Sequence, residues 1–584
     1  MSPTSAIENL HNRIDLTHIP FTDRGSRIMV FRSGDGNELS IRLAERWEKW
    51  QSEIGHYRMR PPIINYFNYL AFNEEPLEFS VESYPHLIKM ITAVGDFEWV
   101  FTDAETLLVK LPTGTFGFTF IVQAETGQIE RRGGVLRGKR NVAYTTNARL
   151  IVNEISLGTE GFYQIKLMMQ AKAGDSLLLN ITPRLGFNHS IPSPDVEIQQ
   201  AKERWESWFN ATPEVLPEYR QQYDYAWWVM RAGLLSQRFY FTREALSPSK
   251  IHYVGVWQWD QFFHAIAYRH VDTRLAEDQI RIVLDHQRPD GMLPDAIHDE
   301  GLVTRLNYPV EEDVTKPPLM AWTVLKLFEK SNHADFLEEV YESIARWSEW
   351  WMINNSAGNG LCEYRHPFSS GLDDSPLWDY GMPVISPDLN TYLILSQESL
   401  AKMADAIGRP EDAIRYRDGA NEMTQRMMET LWDEKRGMFM AVHNGEFLPV
   451  VTPFSLLPLW TGRLPEKITS RLLEHLVNPD LFWTEWPLAT VAANDPKFDP
   501  MQMWRGPTWA NINYLFVEAL NRINKPELAR KLRRKTLEMI MQHQDIYEYY
   551  NPITGERPPK AAPIFGWTSA VFIDLAVQES RLAK

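Results

Sequence analysis

Two hydrophobic periods divide this chain. In the first third, apolar residues recur at every second position: Phe116, Phe118, Phe120 and Val122 alternate with Gly117, Thr119 and Ile121, and Tyr163, Ile165, Leu167, Met169 and Ala171 alternate with Gln164, Lys166, Met168 and Gln170. A period of two turns one side of a segment to a core and the other to water, which predicts half-buried β-strands. Gly174-Asp175 predicts a hairpin turn into the apolar run Leu177-Leu178-Leu179, within an antiparallel sheet or sandwich. A Pro-rich break, Ile191-Pro192-Ser193-Pro194-Asp195, ends the pattern, and Val196 to Phe209 reads as a linking helix with a Trp205, Trp208, Phe209 stripe.

Beyond that break the period becomes helical. The clearest case starts at Ser386, an N-cap followed by Pro387 at the first helical position and Asp388 beside the positive end of the helix dipole. Leu393, Leu400, Met403, Ala404 and Ile407 trace its buried stripe, Gly408 ends it, and Pro410 opens the next helix. Similar stretches lie around 219–240, 260–271, 274–287, 317–330, 334–352, 410–432, 466–476, 508–522, 525–543 and 566–580. The expected fold is therefore mostly α with an N-terminal β domain: a sandwich over 1–190, a linker with a helix over 191–214, and a helical domain over 215–584. Long helices joined by short turns alternating with long aromatic, Gly- and Pro-bearing loops predict hairpins set in a ring, with the long loops at one end. A helical solenoid shares these features, though no regular repeat supports one.

Charge and composition narrow the partners. A net charge of -16 excludes the basic footprint that nucleic acid requires and makes anionic membranes poor partners. The 21 Trp, 22 Tyr and 28 Phe are a heavy aromatic load, and flat rings with polar edges suit sugar faces, although most of them fill the interior. One cysteine, Cys362, excludes an intramolecular disulfide and fits a reducing compartment. Glu8, His11, Arg13, Asp15 and Asp23 interrupt the stretch from Met1 to Arg27, so it lacks a signal-peptide core, and no later segment reaches eighteen uncharged apolar residues. A cytoplasmic protein is expected, with Asn188-His189-Ser190 a chance triplet.

The candidate chemistry sits in loops of the helical part. Tyr547-Glu548-Tyr549-Tyr550-Asn551-Pro552 sets a carboxylate among tyrosines, and Ser370-Gly371-Leu372-Asp373-Asp374-Ser375-Pro376 places another acid on a turn. Two such carboxylates point to glycoside hydrolysis, in which one acid protonates the departing oxygen and a second carboxylate activates water or attacks carbon. In Trp257-Gln258-Trp259-Asp260, Asp260 offers hydrogen bonds to sugar hydroxyls and the tryptophans a stacking face, or else the segment is a helix cap with core aromatics. Gln287, ahead of the Arg288-Pro289-Asp290-Gly291 turn, is a further candidate to bind sugar; Arg505, between Trp504 and Trp509, either steadies a carboxylate or stacks on Trp504. No His-Glu-x-x-His, cysteine cluster, Walker loop, Gly-x-Gly-x-x-Gly or Gly-x-Ser-x-Gly competes, so neither metal nor cofactor is expected.

At these positions the chain resembles glycoside hydrolase family 63 and its relatives among the α-glucosidases and trehalases. The resemblance spans roughly 200–584, through Trp257-Gln258-Trp259-Asp260-Gln261-Phe262-Phe263-His264, Gly371-Leu372-Asp373-Asp374-Ser375-Pro376, Trp504-Arg505-Gly506-Pro507-Thr508-Trp509, Glu548-Tyr549-Tyr550-Asn551-Pro552-Ile553-Thr554-Gly555 and Phe565-Gly566-Trp567-Thr568-Ser569. It implies an (α/α)6 barrel after a β-sandwich, and inverting hydrolysis of an α-linked glucose or related sugar. It also implies Asp373 as general acid, Glu548 as the base for water, Asp260 as a binder of sugar hydroxyls, and Trp257, Trp259, Trp504, Arg505 and Trp567 as pocket lining. Ser369 departs from the pattern, which commonly has Glu two residues before the motif glycine.

The substrate reading stays open. A small intracellular glucoside or oligosaccharide is expected; trehalose, kojibiose-like disaccharides, glucosylglycerate and mannosylglycerate are alternatives. A charged aglycone needs a cation, for which Lys316, Arg365 and Arg505 are candidates, the first two also reading as salt-bridged surface positions. A sugar epimerase using His264, His286 or His366, and a sugar-binding protein without catalysis, are the readings from other classes.

Overall fold

The computed structural model describes residues 5–33, 36–46, 61–158 and 161–583, so the first four residues of the Met1 to Arg27 segment lie outside the described set. After a single helical turn, α1 (Ala6–Asn9), come β1 (Ile28–Arg32), β2 (Leu39–Leu43), β3 (Ile64–Leu70), β4 (Phe79–Tyr84), β5 (Leu87–Thr92), β6 (Gly95–Asp103), β7 (Thr106–Lys110), β8 (Gly114–Gln123), β9 (Thr126–Glu130), β10 (Gly133–Arg137), β11 (Asn141–Thr146), β12 (Arg149–Leu157), β13 (Phe162–Ala171) and β14 (Ser176–Thr182). They form two antiparallel sheets, ordered β1-β2-β3-β8-β13-β12 and β4-β5-β6-β7-β14-β11-β10-β9.

The period-two residues set the register. Phe116, Phe118 and Phe120 of β8 stand opposite Met169, Leu167 and Ile165 of β13, all buried. Across the gap between sheets, Phe67 meets Trp99 edge-on at 5.2 Å, Tyr69 meets Phe97 at 4.6 Å, and the Trp99 indole donates to the Tyr69 hydroxyl at 2.9 Å. Aromatic rings thus fill the interior, and the buried indole N–H keeps a partner.

The turn at Gly174 differs from expectation. It joins β13 of one sheet to β14 of the other, so it is a crossing between sheets and not a hairpin. The composition of β14 gives the reason. Its Leu177-Leu178-Leu179 run is buried on both faces, because β14 is central in its sheet and a helix covers the outer side. That helix is α2 (Pro194–Asn210), whose Ala201 packs with Val100, Leu108 and Leu178. Trp205, Trp208 and Phe209 of α2 are buried as its stripe predicted.

The chain divides into two compact units, one of 1–212 with 231–236 and 250–254, the other of 213–230, 237–249 and 255–584. Helix α3 (Arg220–Ala232) belongs to the second unit up to Met230, and that unit's other helices are α4 (Gln258–Tyr268), α5 (Thr273–Leu284), α6 (Met320–Ser331), α7 (Ala334–Asn354), α8 (Pro387–Ala406), α9 (Pro410–Leu431), α10 (Glu466–Leu476), α11 (Ala510–Arg522), α12 (Pro526–Met541) and α13 (Gly566–Leu582). Helix α4 packs on α6, α6 on α8, α8 on the 3₁₀ turn Leu457–Thr461, that turn on α11, α11 on α13, and α13 back on α4. Every residue of α4 is buried, whereas α5, α7, α9 and α12, which pack against members of this cycle, bury one face. Helices apolar all round belong inside and amphipathic ones outside, which assigns the layers.

Local signals behave unevenly. Ser386 precedes α8 as expected, yet its hydroxyl bonds Asp388 and caps no backbone N–H. Helix α3 stops at Ala232, short of 240, because Gly233 follows and the chain turns extended at Leu234–Leu235. Cys362 is buried, and burial pushes its thiol up to about 12. Among the described residues no helix is long and apolar enough to cross a membrane.

Candidate active site

Apart from Gln287, which follows α5, the candidate residues lie on segments that lead into helices of the inner cycle. Trp257 is the N-cap of α4 and Asp260 lies in its first turn; Lys316 precedes α6, the Asp373 loop precedes α8, Trp504 to Trp509 precede α11, and Glu548 and Trp567 flank the entry to α13. Aromatic packing joins these segments. Trp504 stacks on Trp509 at 3.7 Å and 5°, Trp509 lies 4.7 Å from Tyr549, and Trp567 meets Trp259, Phe565 and Trp509 edge-on at 5.2, 5.3 and 5.5 Å. Trp259, Trp504 and Trp567 are buried in this cluster, while Trp257 is partly exposed and edges His298 at 5.3 Å.

Gly371 fits the acid's loop onto that cluster. Its φ is +72°, and a Cβ built there would meet the Trp259 ring at 2.4 Å. A side chain at 371 therefore has both a strained backbone and no room. Gly371→Ala is expected to destabilise the fold by about 1–3 kcal/mol, checked by chemical denaturation, and to lower turnover because Asp373 is two residues away.

Clamps from a distant segment fix the same loop. Asp374 accepts from the Gln502 amide at 2.7 Å and from the Trp504 N–H at 2.9 Å, and the Trp378 indole donates to the Leu372 carbonyl at 2.6 Å. Arg505 is bidentate on Asp379, which also pairs with Lys497 at 2.9 Å, so its guanidinium is taken up by a carboxylate of the protein and not stacked on Trp504. Gln287 is similarly engaged: its amide donates to the carbonyls of Gly291 and Ser343 at 2.9 and 2.7 Å and accepts from Arg346 at 2.5 Å.

Asp373 keeps 35% of its side-chain surface open, but Oδ1 is shut off from solvent and has no hydrogen-bond partner. Burial raises its carboxyl, the Lys316 ammonium 4.0 Å away opposes that, and Asp295 and then Asp374 push it further up, to about 7. Of these two, Asp295 acts more strongly than the adjacent Asp374, and for Asp295 the sequence offered only turn chemistry nearby.

Lys316 is a correction to its surface reading. It is buried, pairs with Asp295 at 2.8 Å, and donates to the Phe368 carbonyl at 2.7 Å. Burial works to lower its ammonium, but Asp295 and Asp373 outweigh it and the net shift is upward. Pairing of Val256–Trp257 with Ala296–His298 sets Asp295 beside α4, where the Gln258 N–H donates to the Asp295 carbonyl at 3.0 Å. Ser369, at the position that departs from the family pattern, is buried and accepts from the Thr315 N–H at 3.3 Å.

Asp260 and Glu548 are also buried and within each other's field. Burial drives the Asp260 carboxyl well above the usual carboxylate range, Lys316 opposes this, and Glu548 adds to it. Glu548 is held on both sides by Ala562, whose N–H donates to Oε2 at 3.1 Å and whose carbonyl accepts the Glu548 N–H at 2.9 Å. Asp260, Asp373 and Glu548 thus lie at the ends of the inner helices, Asp260 and Asp373 in the field of one ammonium and Asp260 also in that of Glu548. Of the three histidines weighed for epimerisation, His264 and His366 are buried and uncharged, pushed down to about 3 and about 4, and His286 bonds the Tyr240 carbonyl at 2.7 Å.

A carboxyl that stays protonated near neutrality, grouped with further buried carboxylates, is the equipment of a glycoside hydrolase, and that is the class of this protein. It belongs to the family described as mannosylglycerate hydrolase MGH1-like glycoside hydrolases, whose model matches residues 253–568, more than half of the chain, and so to glycoside hydrolase family 63. A mannosylglycerate hydrolase of Rubrobacter radiotolerans is 22% identical over 58% of this chain and 95% of its own length. A glucosylglycerate hydrolase of Mycolicibacterium hassiacum is 23% identical over 55% and 92%. Among solved structures, a GH63 mannosylglycerate hydrolase of Thermus thermophilus in complex with glucose matches at TM-score 0.52, with 21% identity over 59% of this chain and 97% of that one. A bacterial glucoamylase complexed with acarbose matches nearly end to end, at TM-score 0.59, 11% identity and coverage of 97% and 95%. At such identities these structures speak to the fold, which runs from an N-terminal β-rich region to a helical domain.

Proposed function

We propose that this hydrolase cleaves an α-linked mannose or glucose from a small glycoside with inversion, Asp373 acting as general acid and Glu548 as general base. The Asp373 proton passes to the glycosidic oxygen as the bond to the anomeric carbon breaks. A water, deprotonated by Glu548, attacks that carbon from the opposite face, and Asp260 holds sugar hydroxyls. Such a water needs the two carboxyls to stand roughly 6.5–9.5 Å apart. The observation that carries this reading is the Asp373 carboxyl, raised to about 7 and with an unpartnered buried oxygen, so that it still holds its proton near neutral pH.

The same reading takes the closed cycle of inner helices as an (α/α)6 barrel over 215–584, following a β-sandwich over 1–190 and a linker over 191–214, in a cytoplasmic protein. Relatives named as mannosylglycerate and glucosylglycerate hydrolases favour a sugar glycerate as substrate over trehalose or an uncharged disaccharide. A screen of mannosylglycerate, glucosylglycerate, trehalose and kojibiose, followed by NMR of the anomeric proton, tests both points. Release of the β-anomer first from a sugar glycerate is the expected result; first release of the α-anomer would overturn inversion, and turnover of trehalose or kojibiose alone would overturn the glycerate assignment.

A further inference from the structure

Lys316 is a buried cation at the centre of the site, and the reaction steps above leave it without a role. Its ammonium forms an ion pair with Asp295 at 2.8 Å and donates to the Phe368 carbonyl at 2.7 Å, two contacts from separate segments that fix where the ammonium sits. The same ammonium lies 4.0 Å from Asp373 Oδ1, a buried oxygen with no hydrogen-bond partner. At that separation a charge interacts strongly with a carboxylate and weakly with a neutral acid.

We infer that Lys316, aimed by Asp295, is a positioning residue for the acid: it steadies the carboxylate that remains on Asp373 once the proton has gone to the leaving oxygen. This rests on the reading of Asp373 as the proton donor. The pair also sets two opposing fields, because the ammonium favours loss of the proton and the Asp295 carboxylate disfavours it. The other groups around them are the carboxyls Asp260 and Asp374, with Glu548 acting on Asp260 and Arg505 on Asp374, and His366, which is uncharged with Nε2 on the Tyr308 carbonyl and Nδ1 on the Phe368 N–H. Lys316 is therefore the cation that acts on the proton donor itself, while Arg505 acts on the neighbouring Asp374.

The test is the alkaline limb of kcat/KM against pH in the full-length protein, since activity falls as the acid ionises. Lys316→Met is expected to move that limb up by roughly one to three pH units and to lower kcat at pH 7 by about tenfold, a weaker acid being a poorer donor. Asp295→Asn is expected to move it down. The double variant, which leaves no orphan charge and so keeps the question answerable if Lys316→Met fails to fold, should fall between wild type and Lys316→Met. A limb that stays in place in the double variant and in whichever single variants fold, with activity merely reduced, overturns the inference and leaves a structural ion pair. Asp373→Asn separates the two claims: if that variant keeps its turnover the proton-donor reading itself fails, and if it is inactive while the order of limbs is not seen, the role of Lys316 alone fails.

Discussion

Glu548→Gln is expected to lower turnover by about three to five orders of magnitude while leaving the fold intact. An amide cannot take a proton from water, and without that step water is too weak a nucleophile to complete the displacement. The fold should tolerate the change because the glutamine carbonyl can still accept the Ala562 N–H that holds Glu548 Oε2 at 3.1 Å, and the backbone bond between the two residues does not involve the side chain. The kinetics must therefore change without a matching change in the melting transition. Azide, which attacks without needing a base, should restore turnover in this variant and give the inverted glycosyl azide. Near-normal hydrolysis by Glu548→Gln would remove Glu548 from the reaction.

Asp373→Asn is expected to have a loss of similar size on a natural glycoside, with a different signature. The asparagine has no proton to give, so the penalty should follow the leaving group: large for an alkoxide, small for a glycosyl fluoride, whose departure needs little protonation. Glu548→Gln should fail on both substrates. Asp373→Asn also carries a stability prediction whose sign follows from the raised carboxyl. A carboxyl that ionises near 7 when folded and near 4 when unfolded leaves stability whole below the lower value and erodes it as pH rises to the upper one. Removing it should make the variant more stable relative to wild type at pH 8 than at pH 4, as read from thermal melts at the two pH values. An equal difference at both would show that Asp373 is an ordinary acid.

The fold was legible where the periods were long. Alternation along β8 and β13 gave the buried faces, though not which strands pair, and the Ser386 to Gly408 pattern gave α8 almost to the residue. Shorter pieces carried no such signal. Leu457–Thr461 completes the inner cycle, yet five residues containing Pro458 hold too little of a 3.6 period to stand out. The crossing at Gly174 looked like a hairpin because turn chemistry fixes the bend but not the sheet that receives the next strand.

The candidate site divides in the same way. Asp373, Glu548 and Asp260 lie on segments whose aromatic and glycine spacing marked them, and the structure brings those segments together through Trp259, Trp504, Trp509 and Trp567. Lys316 read from the sequence as a cation for a charged aglycone or a salt-bridged surface position, and its buried pairing with Asp295 was not legible. A lone lysine belongs on the surface unless its counterion is known, and here the counterion is 21 residues away, at the start of the Ala296–His298 strand. Arg505 and Gln287 looked available for a ligand for the converse reason, their protein partners being distant in sequence.

The clamp on Asp374 has a consequence for how the enzyme is made. Gln502 and Trp504 leave the ribosome some 130 residues after the loop they secure, and Glu548 later still. A nascent chain that has just finished α8 and α9 has the Trp259, Lys316 and Trp378 contacts of that loop but not the clamp on Asp374. The proton donor, its clamp and the base are together only once the segments carrying Gln502, Trp504 and Glu548 have been made.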